Sequence, residues 1–218
     1  MANEYDAKRK EILENLSDMS EIAEEMLQNS IKALDEQDGE LAREVINRDD
    51  VLDNYEVTVE DKVSRLITMK KPVAGESRYS LALAKIARDL ERIGDHSTNI
   101  AEIALELRNE EYLEPLVMIP ELADLVFDML DAVLEAFITE NHELAEAACR
   151  RDERADNIFD SIYDDSLKLL DDASGSEKDV NQVMRFITVA KSLERVGDHA
   201  TNIGEETIYV VTGNRVKY

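Results

Sequence analysis

The sequence predicts an all-α protein of two tandem three-helix bundles, six long helices in all, and three observations lead there. Aromatic residues make up only 5% of the chain and Gly and Pro are scarce, while Ala, Leu, Glu, Asp and Ile dominate, the composition of helices packed on helices. Apolar residues recur at steps of three and four along most of the chain. The chain also repeats itself at a displacement of 103 positions, which takes Leu90 to Leu193. With 218 residues and 44% hydrophobic content, it is long enough to bury a sizeable core.

The first helix carries Ile12, Leu16, Met19, Ile22, Ala23, Met26, Leu27, Ser30 and Leu34 on one face. After a turn at Asp38-Gly39, the second runs from Glu40 to Lys70 with Leu41, Val45, Leu52, Val59, Val63 and Leu66 as its stripe. Pro72 and Gly75 break that pattern. The third, from Ser77 to Arg108, buries Ile86, Leu90, Ile93, Ile100, Ala104 and Leu107, and Pro115 and Pro120 mark the junction that follows. Three more helices fit Glu121 to Thr139, Asn141 to Asp172 and Glu177 to Thr212, with Ser174-Gly175-Ser176 as a hinge and Gly213 as the final stop. The two repeats are then 1–112 and 113–218.

The repeat is closest in LERIGDHSTNIAE (Leu90 to Glu102) and LERVGDHATNIGE (Leu193 to Glu205), identical at ten of thirteen positions. The same displacement superposes Arg48-Asp49 and Asp53-Asn54 on Arg151-Asp152 and Asp156-Asn157, Met26-Leu27 on Met129-Leu130, and Glu40-Leu41-Ala42 on Glu143-Leu144-Ala145. Between Lys62 and Ile86, by contrast, only Leu66 keeps its identity. Drift was permitted there and not at the acidic motifs, so something beyond helix packing holds those side chains.

A formal charge of -25 repels phosphate backbones and anionic lipid, and it is interrupted only by basic runs of two or three residues such as the Lys70-Lys71 pair, which argues against nucleic-acid and membrane partners. Two readings fit the acidity: a cation-binding protein, or a chain adapted to a saline cytoplasm. The single cysteine, Cys149, reads as a small buried hydrophobe in a reducing compartment. The N-terminal MANEYDAKRK has no apolar signal-peptide core, and acidic residues interrupt every long apolar stretch, including Leu122 to Ile138. A cytoplasmic protein without direct membrane insertion is expected.

On an ideal helix Glu91, Asp95, Asn99 and Glu102 fall within about 80° of one another, an oxygen ladder opposite the apolar stripe. Asp49 and Asp53 lie about 40° and 80° from the Val45 row, where a neighbouring helix approaches. Bringing the second and third helices together places both acidic sets along one groove, and the second copy repeats the set as Asp152, Asp156, Glu194, Asp198, Asn202 and Glu205. Carboxylates gathered this way raise one another's pKa unless cations neutralise them. An all-oxygen set suits hard ions such as Mg²⁺, Mn²⁺ or ferric iron, and the lack of paired cysteines argues against structural zinc. A solvated acidic face is the plainer reading for one helix; identity in both copies favours the metal.

Gly94 and Gly197 sit mid-helix at matching positions on the flank between core stripe and ladder, each costing about 1 kcal/mol against Ala. Either the missing side chain lets the acidic second helix come close, or it serves a tight crossing without metal. His96 and His199 point away from the neighbouring carboxylates and are expected to hydrogen-bond a facing helix or to support the ligands from behind. Arg92 and Arg195 are expected as salt-bridge partners of the groove.

At these residues the chain resembles the PhoU family of phosphate-uptake regulators over nearly its whole length. The resemblance rests on LERIGDH and LERVGDH, the Arg-Asp-x-x-x-Asp stretches ahead of them, the KKPVAGESR turn and the closing IYVVTGNRVKY. It implies two three-helix bundles related by pseudo-twofold internal symmetry, with multinuclear metal clusters at the acidic motifs in metal-loaded members. Carried over by position, the cluster ligands are Asp49, Asp53, Glu91 and Asp95, and Asp152, Asp156, Glu194 and Asp198, with Asn99, Asn202, Glu102 and Glu205 as secondary candidates. The implied role is restraint of the high-affinity phosphate ABC transporter, through its ATPase subunit, with relay of its state to a sensor histidine kinase, as a homodimer or larger homo-oligomer. Gly75-Glu76-Ser77 departs from the Asp-Leu-Arg type of run common at that turn, which bears on partner contact there and not on the fold.

Two other functions are set against this one. A carboxylate-bridged di-iron enzyme wants inward Glu-x-x-His pairs, and no Glu here is followed three residues later by His. A metal-free helical adaptor would use the acidic stripe to dock a basic partner. No Ser or Cys near a His falls within a recognisable nucleophile motif, so a regulator rather than an enzyme is expected.

Overall fold

Apolar stripes on long helices must meet other stripes, and here they close into two bundles joined side by side. The structure, a computed structural model, describes residues 2–69, 74–113, 118–172 and 176–218. Its helices are α1 (Ala2–Asp35), α2 (Gly39–Met69), α3 (Ala74–Leu107), α4 (Met118–Ile138), α5 (His142–Cys149), α6 (Asp152–Asp172) and α7 (Glu177–Thr212). α1, α2 and α3 pack on one another, α4, α5 and α6 pack on α7, and α3 lies along α7 to join the two bundles about a pseudo-twofold axis. Lys70, Lys71, Pro72, Pro115, Ser174 and Gly175 lie outside the described residues.

The stripes read from the sequence are the core. Ile12, Met19 and Met26 of α1, Leu52 and Leu66 of α2, and Leu83, Ile86, Leu90, Ile93 and Ile100 of α3 are fully buried. The apolar stretch of α4 is buried in the second bundle, and among the described residues no helix is long and apolar enough to cross a membrane. α3 begins at Ala74, so Gly75 belongs to its first turn rather than to the break before it. Pro120 sits in the first turn of α4, where a missing N–H costs no helical bond.

The fifth long helix is interrupted, so six expected helices give seven segments. Arg151 N–H donates to Ala148 O at 3.0 Å and Arg154 N–H to Arg151 O at 2.9 Å, both three residues back, a tightened turn between α5 and α6. Asp152 therefore opens α6, whereas its counterpart Asp49 lies inside α2.

The turns between the first two helices of each bundle match. Gln37 and Glu140 adopt left-handed backbone, φ 55° and 51°. The next residues, Asp38 and Asn141, cap the following helices by accepting two backbone N–H groups each, at 2.9 and 3.1 Å for Asp38 and 3.1 Å for both at Asn141. Gly213, φ 77°, ends α7. The stretch carrying the expected boundary at 112/113 is strapped down: Tyr112 Oη donates to Leu34 O at 2.7 Å, and buried Gln182 accepts from Leu113 N–H at 2.8 Å while donating to Glu111 O at 3.1 Å.

Candidate functional site

Close packing of α2 on α3 sets the first acidic groove. A Cβ added at Gly94 would stand 2.4 Å from Leu52 Cδ1, so the missing side chain lets α2 come in, and the atom it admits is a core leucine. The second copy differs, because Ala155 stands where Leu52 does. An added Cβ at Gly197 meets Asp152 Oδ1 at 3.4 Å, an ordinary contact, and the tight position moves to Gly204, 2.4 Å from Cys149 Sγ.

With the helices this close, the ladder is not the solvent-facing surface that a single helical wheel suggests. The Glu91 side chain is 12% exposed and that of Glu194 14%. Arg92 bridges its ladder, Nη1 to Asp95 Oδ2 at 2.7 Å and Nε to Glu91 Oε2 at 3.3 Å. Arg195 repeats this with Asp198 at 2.7 Å and Glu194 Oε2 at 3.6 Å, and Lys191 adds Glu194 Oε1 at 2.7 Å. Neither Glu91 Oε2 nor Glu194 Oε2 has a hydrogen-bond partner, although both atoms are sealed from solvent. Two equivalent buried carboxylate oxygens are thus left without a hydrogen bond.

Burial, reinforced by Asp95, pushes the Glu91 carboxyl up to about 7, against the pull of Arg92 and with further pushes from Glu56 and Asp53. Asp152 rises to about 6 through burial and the charges of Asp156 and Asp198. Asp49 and Asp156 also move up, burial first and facing carboxylates after it. These groups sit at less than full solvation and feel one another's charge across the two helices.

The structure thus brings Asp49 and Asp53 of α2 into the field of Glu91 and Asp95 of α3, and Asp152 and Asp156 of α6 into that of Glu194 and Asp198 of α7. The secondary candidates go elsewhere. Asn99 and Glu102 are exposed, Asn202 Nδ2 donates to Asp89 Oδ1 of the other bundle at 3.4 Å, and Glu205 Oε1 accepts the Tyr218 N–H at 2.8 Å. Among the described residues, no three His, Cys, Asp or Glu side chains converge as the ligands of one ion would. The arginines hold the ladder carboxylates instead.

Two participants escape the sequence reading. Glu56, half-buried on α2, lies beside Glu91 and the guanidinium groups of Arg88 and Arg92. Thr98 Oγ1 donates to Asp49 Oδ1 at 3.1 Å and ties α3 to α2. Thr98 and Thr201 are identical in the repeat and so were findable; Glu56 was not, since Phe159 takes its place in the second copy. The histidines behave as packed residues: His199 Nδ1 is 2.8 Å from Asp89 Oδ1 on α3, and the His96 ring lies beside that of His199.

The PhoU domain model matches residues 16–104 and again 119–207, once over each bundle. The chain belongs to the PhoU family. The phosphate-specific transport system accessory protein PhoU homolog of Clostridium acetobutylicum is 33% identical over 213 residues, 97% of this chain and 96% of the relative. That of Caulobacter vibrioides is 35% identical over 199 residues, covering 91% and 85%. Among solved structures, PhoU from Pseudomonas aeruginosa superposes with a TM-score of 0.92 at 26% identity, over 96% of this chain and 100% of that one. The phosphate transport system regulatory protein PhoU from Streptococcus pneumoniae, 24% identical and covering 98% and 100%, shows the same fold with a TM-score of 0.90. The twofold match of the PhoU model is the internal repeat seen from outside the chain.

Proposed function

We propose that this protein is a metal-binding accessory regulator of phosphate transport, with no reaction of its own. It restrains a phosphate ABC transporter by acting on the ATPase subunit in the cytoplasm, works as a homodimer and relays transporter state to a sensor histidine kinase. Family membership and the transport-accessory names of relatives covering most of the chain support the transport role. The single observation that carries the metal reading is the solvent-sealed oxygen on both Glu91 and Glu194, which has an arginine nearby but no hydrogen bond, placed identically in two bundles.

The donor type fits a hard cation, although the side chains do not converge on one point while the arginines hold them. Asp49, Asp53, Glu91 and Asp95 in the first groove, and Asp152, Asp156, Glu194 and Asp198 in the second, offer oxygen alone, the donor type of Mg²⁺, Mn²⁺ or ferric iron. A bound ion would supply the positive charge that crowded carboxylates lack. To hold it, Asp95 and Asp198 would have to turn from Arg92 and Arg195 toward the facing helix. Those arginine bridges favour a second reading, a metal-free adaptor whose grooves are already neutralised and whose free acidic surface meets a basic partner.

Calorimetric titration with Mn²⁺, together with elemental analysis of the natively purified protein, separates the two. Binding in the parent that disappears in the Asp95→Ala, Asp198→Ala double variant supports the metal reading, and absence of heat in the parent supports the adaptor. The transport role is tested by phosphate uptake in cells lacking this chain: uptake is unrestrained there, and the parent restores restraint.

A further inference from the structure

In a chain with 50 acidic and 25 basic residues, one surface cleft reverses the balance. Between the N-terminal half of α3 and the C-terminal end of α7 lies a cleft of about 230 Å³, whose polar lining includes Arg78, Lys85, Arg88 and Arg215, against Glu60 and Glu206. Four cations face two carboxylates, with Arg88 shared with Glu56 of the first groove. Lys85 and Arg215 share Glu206, the latter at 3.6 Å, and Glu206 is itself only 14% exposed. Arg215 also lies on the Tyr209 ring, 4.1 Å from its centroid, which fixes the guanidinium at the cleft rim.

Arg78 is the group this packing does not explain. Its guanidinium stands beside the α7 cap, where an added Cβ on Gly213 would meet Nη2 at 3.7 Å, and it lies 5.8 Å from the Tyr209 ring. Its Nε is sealed from solvent without a hydrogen-bond partner. A guanidinium presents five donors in a planar fork suited to bidentate oxyanion binding, and a sealed donor with no acceptor carries a desolvation cost. At about 30 Å³ per water, the cleft has room for several waters or for one tetrahedral oxyanion.

We infer that this cleft binds a phosphate-type oxyanion, held by Arg78, Lys85 and Arg215 against the Tyr209 wall, with Glu206 as its internal competitor. The acidic grooves take no part, and the inference stands whether or not they hold metal. The shared chemistry is a dianionic phosphoryl group, present in free phosphate and at the end of a nucleoside monophosphate. The glutamate supplies the discriminating control, because its neutralisation releases two cations to the ligand instead of removing one.

The test is calorimetry on the full chain, stripped of metal by a chelating resin, with inorganic phosphate and AMP as separate probes and circular dichroism as the folding control. Inorganic phosphate binds the parent, Arg78→Gln weakens it about tenfold or more, and Glu206→Gln tightens it severalfold. Tighter binding of AMP than of phosphate assigns the natural ligand to a phosphorylated compound; equal or weaker binding assigns it to free phosphate. Binding of both probes that persists in Asp95→Ala, Asp198→Ala keeps this site apart from the acidic grooves. No heat with either probe at millimolar concentration, or affinity unchanged in both folded cleft variants, overturns the inference.

Discussion

The imidazoles of His96 and His199 meet where α3 and α7 join the two bundles, their ring centroids 5.6 Å apart and their planes inclined by 33°. They occupy the same position in the two repeats, so the pair straddles the pseudo-twofold axis. The symmetry stops at the next shell. His199 has the Asp89 carboxylate at 2.8 Å, whereas the repeat equivalent of Asp89 is Ser192, which has no charge to offer His96.

Acid sensitivity of the bundle junction follows. Burial, then the facing His199, holds His96 down at about 4, against the pull of Asp95 and with Arg195 and Arg92 pushing the same way. A histidine depressed in the folded state binds fewer protons than in the unfolded chain between its ordinary 6.5 and about 4. Its contribution to stability is therefore complete above 6.5 and is lost as pH falls through that window. Denaturant titrations between neutral pH and pH 4 should show a loss that His96→Gln flattens; an acid limb as steep in the variant as in the parent removes His96 as its cause.

Much of this fold is legible in sequence because α1, α2 and α3 each bury one continuous stripe, and Ile12, Leu52 and Ile93 stand where a 3.6-residue period puts them. The break at Arg150-Arg151 is not legible, since Cys149-Arg150-Arg151-Asp152 contains neither Gly nor Pro to mark it. The eight acidic positions are legible through the repeat, which is also why Glu56 is missed: comparison with Phe159 discards it. A wheel drawn for α3 alone turns Glu91 outward, and only the close approach of α2 at Gly94 encloses it. The basic cleft joins segments more than a hundred residues apart in sequence, and no local pattern announces it.

Alanine at the two matched glycines should act in opposite directions. At Gly94 the new methyl would press on Leu52, itself fully buried beside Met26, and overpacking of this kind costs about 1–3 kcal/mol. At Gly197 the nearest atom is 3.4 Å away, so the gain in helix propensity, up to about 1 kcal/mol, is realised. Urea unfolding of Gly94→Ala and Gly197→Ala decides it, and equal shifts of the same sign would refute the asymmetry.

A similar contrast separates the two left-handed turn residues. Glu140, φ 51°, makes only a loose 3.5 Å contact with Arg9, so glycine there relieves backbone strain at little cost. Gln37, φ 55°, donates from Nε2 to Leu107 O at 3.1 Å and Glu110 O at 2.7 Å, fastening the C-terminal end of α3. Glu140→Gly should stabilise by about 0.5–1 kcal/mol, whereas Gln37→Gly should be neutral or destabilising because two hydrogen bonds go with the side chain. Thermal unfolding of both variants at one pH checks the ordering.

Charge crowding in the acidic grooves gives the opposite pH dependence to that of His96, and it connects stability to cation binding. Glu91, lifted from 4.5 to about 7, binds more protons in the folded state than in the unfolded one across that interval. The stability it contributes is present below 4.5 and is lost as pH rises to about 7, with Asp152 adding a loss that ends near 6. Glu91→Gln, which keeps the shape and removes the charge, should flatten this neutral-side decline in metal-free protein. If the grooves take a divalent cation, its arrival favours the ionised carboxylates, so binding near pH 6.5 must release protons, chiefly from Glu91. Mn²⁺ titrations in two buffers of different ionisation enthalpy should then give different heats, a difference that shrinks at pH 8 and in Glu91→Gln. Identical heats in the two buffers at pH 6.5, with binding intact, would show that these carboxylates are already ionised before the cation arrives.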